Sequence, residues 1–69
     1  MTFQELAELL RYRRAFLKIR QEDLAEMSGV NTRTIHQIEN GTGNPSFETL
    51  EKLTTVMGLE IILQVKKPD

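Results

Sequence analysis

Five polar side chains within one short stretch of this 69-residue chain carry the hydrogen-bonding groups best suited to specific recognition. They are Asn31, Thr32, Arg33, His36 and Gln37. The guanidinium of Arg33 can donate two parallel hydrogen bonds to O6 and N7 of guanine, and the amide of Gln37 can pair with N6 and N7 of adenine. The methyl group of Thr32 can contact a thymine methyl. These five residues are therefore predicted to contact base edges of double-stranded DNA.

The sequence gives little basis for catalysis. His36 is the single histidine, the chain has no cysteine, and no carboxylate or nucleophile lies at a spacing that would pair with His36. A metal site needs three or four ligands, which the sequence does not provide. We therefore expect a protein that is not an enzyme and that uses no metal or cofactor.

Residues 21–41, which contain the five polar side chains, read as two short helices joined by a glycine turn. Apolar residues recur there at helical spacing on both sides of an interruption at Ser28-Gly29. These apolar residues are Leu24, Ala25, Val30, Ile35 and Ile38. The pattern predicts one helix over residues 21–27 and a second over residues 32–40.

Suitable residues stand at the ends of the two predicted helices. Gly29 can end the first helix because glycine enters left-handed backbone geometry without a Cβ clash. Asn31 can cap the second helix with its side-chain oxygen, and Gly41 can end that helix. Two short helices joined in this way are typical of a helix-turn-helix, which lays its second helix in the DNA major groove.

An ordered set of residues extends this pattern, namely Gln21, Leu24-Ala25, Gly29, Ile35, Glu39-Asn40-Gly41 and Pro45. Over roughly residues 6–59 the chain resembles the phage-repressor and Cro family of lambda-repressor-like helix-turn-helix domains. Two positions depart from that family. Lys18 stands where the family often has Gly, and Arg20 stands where it often has a Ser or Thr cap. We therefore expect the start of the first motif helix to be looser or to rely on a phosphate.

Thr2 and Glu5 predict a capping box at the start of an earlier helix that ends at residue 16 or 17. The apolar stripe of this helix consists of Phe3, Leu6, Leu10 and Leu17. Arg14 lies on the same inward side, where an arginine is rarely tolerated without an acidic partner. The family resemblance implies an internal ion pair between Arg14 and Glu39. The alternative is two ordinary surface charges.

The net charge of −1 argues at first against a nucleic-acid partner. The distribution of charge argues the other way, because one basic run contains no carboxylate. This run consists of Arg11, Arg13, Arg14, Lys18 and Arg20. We interpret it as facing phosphates, and the alternative is a solvated helix face.

A further set of residues is predicted to hold phosphates and so to fix register without reading sequence. This set consists of Arg20, Gln21, Thr34, Asn40, Thr42 and Asn44. Residues 40–45 form a loop, and we expect this loop to run along a phosphate strand with its backbone N–H groups free to donate.

Ser46 is predicted to cap a last helix, which ends at Gly58. The inward-facing residues of this helix are Phe47, Leu50, Leu53 and Met57. Residues 59–67 then alternate between apolar and polar side chains, which predicts a β-strand. The apolar members of the strand are Leu59, Ile61, Leu63 and Val65. A lone strand exposes unpaired backbone groups, so we expect these four side chains to form the interface of a two-fold homodimer.

The sequence thus predicts a single mostly α domain over residues 1–69, a four-helix lambda-repressor-like DNA-binding domain with one C-terminal β-strand that pairs across a dimer. Within that family, a four-helix domain followed by one strand resembles the HipB-type antitoxins. That resemblance implies a homodimeric repressor on a palindromic operator, with a HipA-like kinase toxin as a further partner. The alternatives are a stand-alone phage-type or restriction-controller regulator, and a helix-turn-helix module for protein interactions. No membrane span or signal peptide is recognisable, so we expect a cytoplasmic location.

Overall fold

The computed structural model describes residues 1–68, and this part of the chain contains four α-helices. They are α1 (Phe3–Phe16), α2 (Gln21–Ser28), α3 (Thr32–Glu39) and α4 (Phe47–Val56). α3 packs against α1 and α2, and α2 also packs against α4. The predicted helix-turn-helix therefore corresponds to α2 and α3, held between the other two helices.

A single apolar cluster holds the four helices together. Its largest fully buried side chains are Leu10, Leu24, Ile35, Leu53 and Met57. Val30 and Ile38 are also buried in this cluster, and Leu6, Ala25, Leu50 and Leu59 pack against it. Ala7 is fully buried as well. The helical spacing of apolar residues in the sequence therefore identified most of the core.

Three residues that were predicted to face inward are exposed instead. The side chains of Phe3, Leu17 and Phe47 are 52%, 37% and 61% exposed. Phe3 and Phe47 are the first residues of α1 and α4, and Leu17 follows the last residue of α1. Helical spacing places all three on the correct side, but they lie at helix ends, where no neighbouring helix covers them.

Local interactions fix the helix ends. The Thr2 N–H donates to Glu5 Oε1 at 2.9 Å and the Glu5 N–H donates to Thr2 Oγ1 at 3.1 Å, which completes the capping box of α1. Gly29 ends α2 with φ = 76°, and Asn31 Oδ1 accepts a hydrogen bond from the Arg33 N–H at 2.7 Å at the start of α3. These contacts agree with the predicted turn.

Lys18, at the corner between α1 and α2, has φ = 58° and is the one non-glycine residue of the described chain with positive φ. The departure from the family pattern at this position is therefore a left-handed residue that carries a Cβ. Such a conformation costs roughly 1–2 kcal/mol for an L-amino acid other than glycine.

The predicted β-strand is wrong for the chain by itself. Residues 59–68 have no regular secondary structure; Leu59 packs against the core, whereas residues 60–68 are exposed. A strand is stabilised by hydrogen bonds to a neighbouring strand, and residues 1–68 contain no other strand that could supply them. No helix within residues 1–68 is long and apolar enough to span a membrane.

Candidate nucleic-acid interface

α3 separates its buried and exposed residues cleanly. Ile35, Ile38 and Glu39 are buried. All five residues predicted to contact bases are exposed: Asn31, Thr32, Arg33, His36 and Gln37. Because the buried residues fix the rotation of α3 about its axis, the exposed donors and acceptors form one outward surface. We call this surface the α3 face.

Within the α3 face, two of the predicted base-contacting side chains already make polar contacts inside the protein. The side-chain oxygen of Asn31 already accepts the Arg33 N–H as the helix cap, which fixes its orientation and leaves the Asn31 amide nitrogen free to donate. Asn40 Nδ2 lies 3.1 Å from His36 Nε2. This contact joins a residue predicted to contact bases with one predicted to contact a phosphate, one helical turn apart.

The rotation and end of α3 are also fixed by Glu39, which is 2% exposed. Arg14 Nε donates to Glu39 Oε2 at 2.7 Å, and Arg14 Nη2 donates to Glu39 Oε1 at 2.8 Å. Arg14 Nη1 also donates to the Ile19 carbonyl at 3.0 Å. The ion pair implied by the family resemblance is therefore present, and it links α1 to the end of α3.

Gln21 joins this ion pair. Its Nε2 donates to Glu39 Oε1 at 3.1 Å, so the first residue of α2 is tied to the last residue of α3. Burial raises the pKa of the Glu39 carboxyl, but the hydrogen bonds from Arg14 and Gln21 outweigh burial and hold this pKa below its ordinary value. One N–H of Gln21, which was predicted to contact a phosphate, is therefore used inside the protein.

The basic run does not form a phosphate-facing surface as a whole. Arg11 donates to the Glu39 carbonyl, and Arg13 Nε donates to the Met57 carbonyl at 2.8 Å. Together with Arg14, these side chains bind the carboxyl ends of α3 and α4, whose carbonyls lack partners within the helix. That interpretation is therefore wrong for three arginines of the run, whereas Lys18 and Arg20 are exposed.

The start of α2 is closed by a residue that sequence analysis missed. Asp23 Oδ2 accepts the Arg20 N–H at 2.8 Å and lies 3.4 Å from Arg20 Nε. The hydrogen bond from the Arg20 backbone lowers the pKa of the Asp23 carboxyl. An acidic residue three positions after the cap was the available signal. Asp23 supplies the reciprocal half of a capping box, but no side chain of residues 1–68 accepts the first-turn N–H groups of α2, so the expected looser start or reliance on a phosphate stays a prediction.

The loop of residues 40–45 was expected to offer free backbone N–H groups, and this expectation is wrong for residues 40–43. The N–H groups of residues 40–43 all donate to carbonyls of α3, with Gln37 accepting from both Thr42 and Gly43. The Thr42 hydroxyl also donates to Gln37 O, at 3.2 Å. A Cβ at Gly43 would lie 3.3 Å from the Ile38 nitrogen, so the loop is closely packed on the helix end.

The other predicted phosphate contacts differ in exposure. Asn40 and Asn44 are exposed on the loop side, Arg20 is exposed at the start of α2, and Thr34 is half-buried. Arg20 is also 3.7 Å from Glu22, so acidic side chains surround this cation. Within residues 1–68, no group of three or more His, Cys, Asp or Glu side chains is placed to hold a metal ion.

Two comparisons extend these observations. Residues 10–63 match the helix-turn-helix family. This range includes all of α2, α3 and α4. The chain is also similar to a protein of Methanocaldococcus jannaschii described as an uncharacterised HTH-type transcriptional regulator. The two sequences are 40% identical over 52 residues, which cover 75% of this chain and 79% of the relative.

Proposed function

The chain belongs to the helix-turn-helix family, and we propose that it is a sequence-specific DNA-binding repressor of transcription that lays α3 in the major groove. The observation that carries this proposal is the α3 face, on which all five predicted base-contacting residues are exposed. The buried Glu39, bound by Arg14 and Gln21, supports it by holding α3 rigidly against α1 and α2.

The chemistry of the α3 face divides the proposed contacts. Arg33 and Gln37 have the two-point donor and acceptor patterns that distinguish guanine and adenine, and both side chains are exposed. Thr32 supplies a methyl group near the start of α3. We therefore propose that Arg33 and Gln37 determine most of the sequence preference. The proposed supporting phosphate contacts are Arg20, Gln21, Thr34, Asn40 and Asn44, whereas Thr42, which was also predicted, uses both of its donors on the Gln37 carbonyl.

The low number of free cations shapes the proposed binding. Each phosphate neutralised by a cation contributes a slope of about −0.9 to the dependence of log K on log salt concentration. Three arginines bind helix ends rather than solvent, and the net charge is −1. We therefore expect a shallow salt dependence, with specificity coming mainly from base contacts.

We further propose that the functional unit is a two-fold dimer whose C-terminal tails, residues 59–67, pair as antiparallel strands. In the single chain these tails leave Leu63 and Val65 93% and 96% exposed, together with Ile61 at 39%. Pairing would satisfy their backbone groups and cover part of this apolar surface, in continuity with Leu59, which already packs against the core. A two-fold dimer sets its α3 helices about one DNA turn, ~34 Å, or a multiple of it apart, which requires a palindromic operator.

Among dimeric repressors, we propose an antitoxin of the HipB type that also binds a HipA-like kinase toxin. The apolar alternation of the tail supports this assignment over a stand-alone phage-type or restriction-controller regulator. A kinase reading frame next to the gene, and co-purification of the two products, would distinguish an antitoxin from those regulators. A helix-turn-helix used only for protein interactions would bind no DNA in a titration with the DNA upstream of the gene.

A binding titration with the DNA upstream of the gene tests the DNA-binding proposal. The protein should bind this duplex at least about 10³-fold more tightly than a shuffled duplex of equal length at the same salt concentration. Protection should cover two symmetric half-sites. Equal affinity for the two duplexes would contradict sequence-specific binding, and loss of all binding would favour the protein-interaction module.

A further inference from the structure

We propose that the outer face of α1 is the docking site for the C-terminal tail of a second copy of the chain, an inference that rests on the proposed dimer. Leu9, Tyr12 and Phe16 are 41%, 71% and 63% exposed. Their spacing of three and four residues places them on one side of the helix. We call these three side chains the α1 stripe. No other element of residues 1–68 covers them.

The tail starts beside the α1 stripe. Arg13, which lies next to Tyr12 in sequence, donates to the Met57 carbonyl at 2.8 Å, and its Nη2 lies 3.3 Å from the Cβ position of Gly58. The Arg13 guanidinium also lies 5.2 Å from the centre of the Phe16 ring. One side chain therefore contacts both the stripe and the point where the tail leaves the helical body.

The exposure of the tail supports the tail of a second copy as the segment that covers the α1 stripe. The tail's own apolar side chains are exposed beyond Leu59, so in this chain they do not cover the α1 stripe. If two tails pair antiparallel, the partner's strand runs beside this chain's strand back to its start. That start is the position of Arg13, so the partner's strand reaches the α1 stripe.

Length fits this arrangement. Nine residues of extended strand span about 30 Å, whereas the 14 residues of α1 span about 21 Å, so one tail is long enough to extend past all three residues of the α1 stripe.

The apolar area also suits a dimer. A large aromatic side chain buries about 150–250 Å² when fully covered, and a standard interface buries about 800 Å² on each partner. The tails alone form a two-stranded ribbon, which is marginal in water. Tyr12 and Phe16 of each copy would provide the apolar surface against which such a ribbon packs.

Chemical cross-linking tests the position of the partner's tail, because the chain has no natural cysteine. A Tyr12→Cys chain and a Leu63→Cys chain carrying a different tag are mixed and treated with a short bismaleimide. We expect efficient cross-links between the two chains. The matched control replaces Tyr12→Cys with Phe47→Cys, since Phe47 is 61% exposed but lies on α4. Equal cross-linking in both mixtures, or none with Tyr12→Cys, would overturn the proposal.

Sedimentation provides a second and independent test. Phe16→Glu should weaken dimerisation about 30-fold or more, as expected for a buried aromatic at an interface, while Phe47→Glu should change it little. Circular dichroism of both variants should show that they keep their helices. A Phe16→Glu variant that dimerises and binds DNA like the natural chain would overturn this docking site and leave the proposed function intact. Failure of the natural chain to bind any duplex would instead contradict the proposed function.

Discussion

The Arg14 guanidinium and the Glu39 carboxylate meet side by side, with Nε–Oε2 and Nη2–Oε1 distances of 2.7 and 2.8 Å. Glu39 is 2% exposed, so its charge depends on this partner rather than on water. The pair connects α1 to the end of α3. The position of the α3 face relative to the rest of the domain therefore depends on an interaction on the opposite side of that helix.

Arg14→Met should destabilise the fold by about 3–5 kcal/mol, because it leaves the Glu39 charge buried without its partner. The double variant Arg14→Met with Glu39→Leu should recover much of that loss. Chemical denaturation of the natural chain, of Arg14→Met and Glu39→Leu alone and of the double variant gives the coupling energy. The exposed pair of Arg20 and Asp23 is the control, and Arg20→Met should change stability little. Additive losses at residues 14 and 39 would show that the pair is not coupled.

Glu39 should also make stability depend on acid pH. Its pKa is lower in the folded state than the ordinary 4.5, so its contribution is complete above pH 4.5 and is lost as the pH falls through the folded-state pKa. Glu39→Gln should remove much of this acid-induced loss and lower stability at pH 7. Thermal unfolding between pH 7 and pH 2.5 measures it.

Glu5→Gln is the matched control for that pH series. The pKa of Glu5 is also lowered, by its hydrogen bonds with Thr2, but the residue is fully exposed. We therefore expect its replacement to leave most of the acid-induced loss in place. A Glu39→Gln variant with the same pH dependence as the natural chain would contradict a role for the buried carboxylate in acid stability.

Lys18→Gly should raise the free energy of unfolding by about 0.5–1 kcal/mol. It removes the roughly 1–2 kcal/mol cost of left-handed geometry and adds the smaller entropic cost of glycine. The converse control is Gly29→Ala, since Gly29 has φ = 76° and nothing within 4 Å of its Cβ position. That substitution should lower stability by about 1–2 kcal/mol through the backbone alone. A destabilised Lys18→Gly variant would show that the lysine side chain contributes more than its strain costs.

The sequence predicted the features that depend on near neighbours. Thr2, Gly29 and Asn31 act within a few residues of their own positions, and the structure shows each predicted cap or turn. The rotation of α3 about its axis could also be predicted from the sequence, because Ile35 and Ile38 are separated by nearly one helical turn and must share the buried side. The exposure of Arg33 and Gln37 follows from that rotation.

Most features that depend on distant partners could not be predicted from the sequence. Arg11 and Arg13 looked like surface cations until the ends of α3 and α4 were placed beside them. The N–H groups of the 40–43 loop looked free because nothing in the local pattern shows that the loop folds back on Gln37. Alternation over residues 59–67 indicates a preference for extended backbone, but it cannot provide a neighbouring strand.

Leu63→Lys tests the proposed dimer, because it places a charge near the centre of the proposed shared ribbon. We expect a monomer by sedimentation that keeps most of its helical circular dichroism, since the buried cluster comes from the four helices. The matched control is Gln64→Lys, which adds the same charge at the neighbouring position on the other side of the strand. A natural chain that is monomeric at micromolar concentration, or a Leu63→Lys variant that still dimerises, would contradict pairing through the tails.

If α3 reads base edges, a binding titration of Arg33→Ala and Asn40→Ala will separate base contacts from phosphate contacts. Both residues are exposed, one near each end of α3. Affinities are measured at fixed salt for the preferred duplex and for duplexes changed at single base pairs. Arg33→Ala should cost about 1–3 kcal/mol on the preferred duplex and remove discrimination at one base pair of each half-site. Asn40→Ala should weaken binding to all duplexes about equally. An Arg33→Ala variant with unchanged affinity and unchanged base preference would contradict the assignment of α3 as the recognition helix.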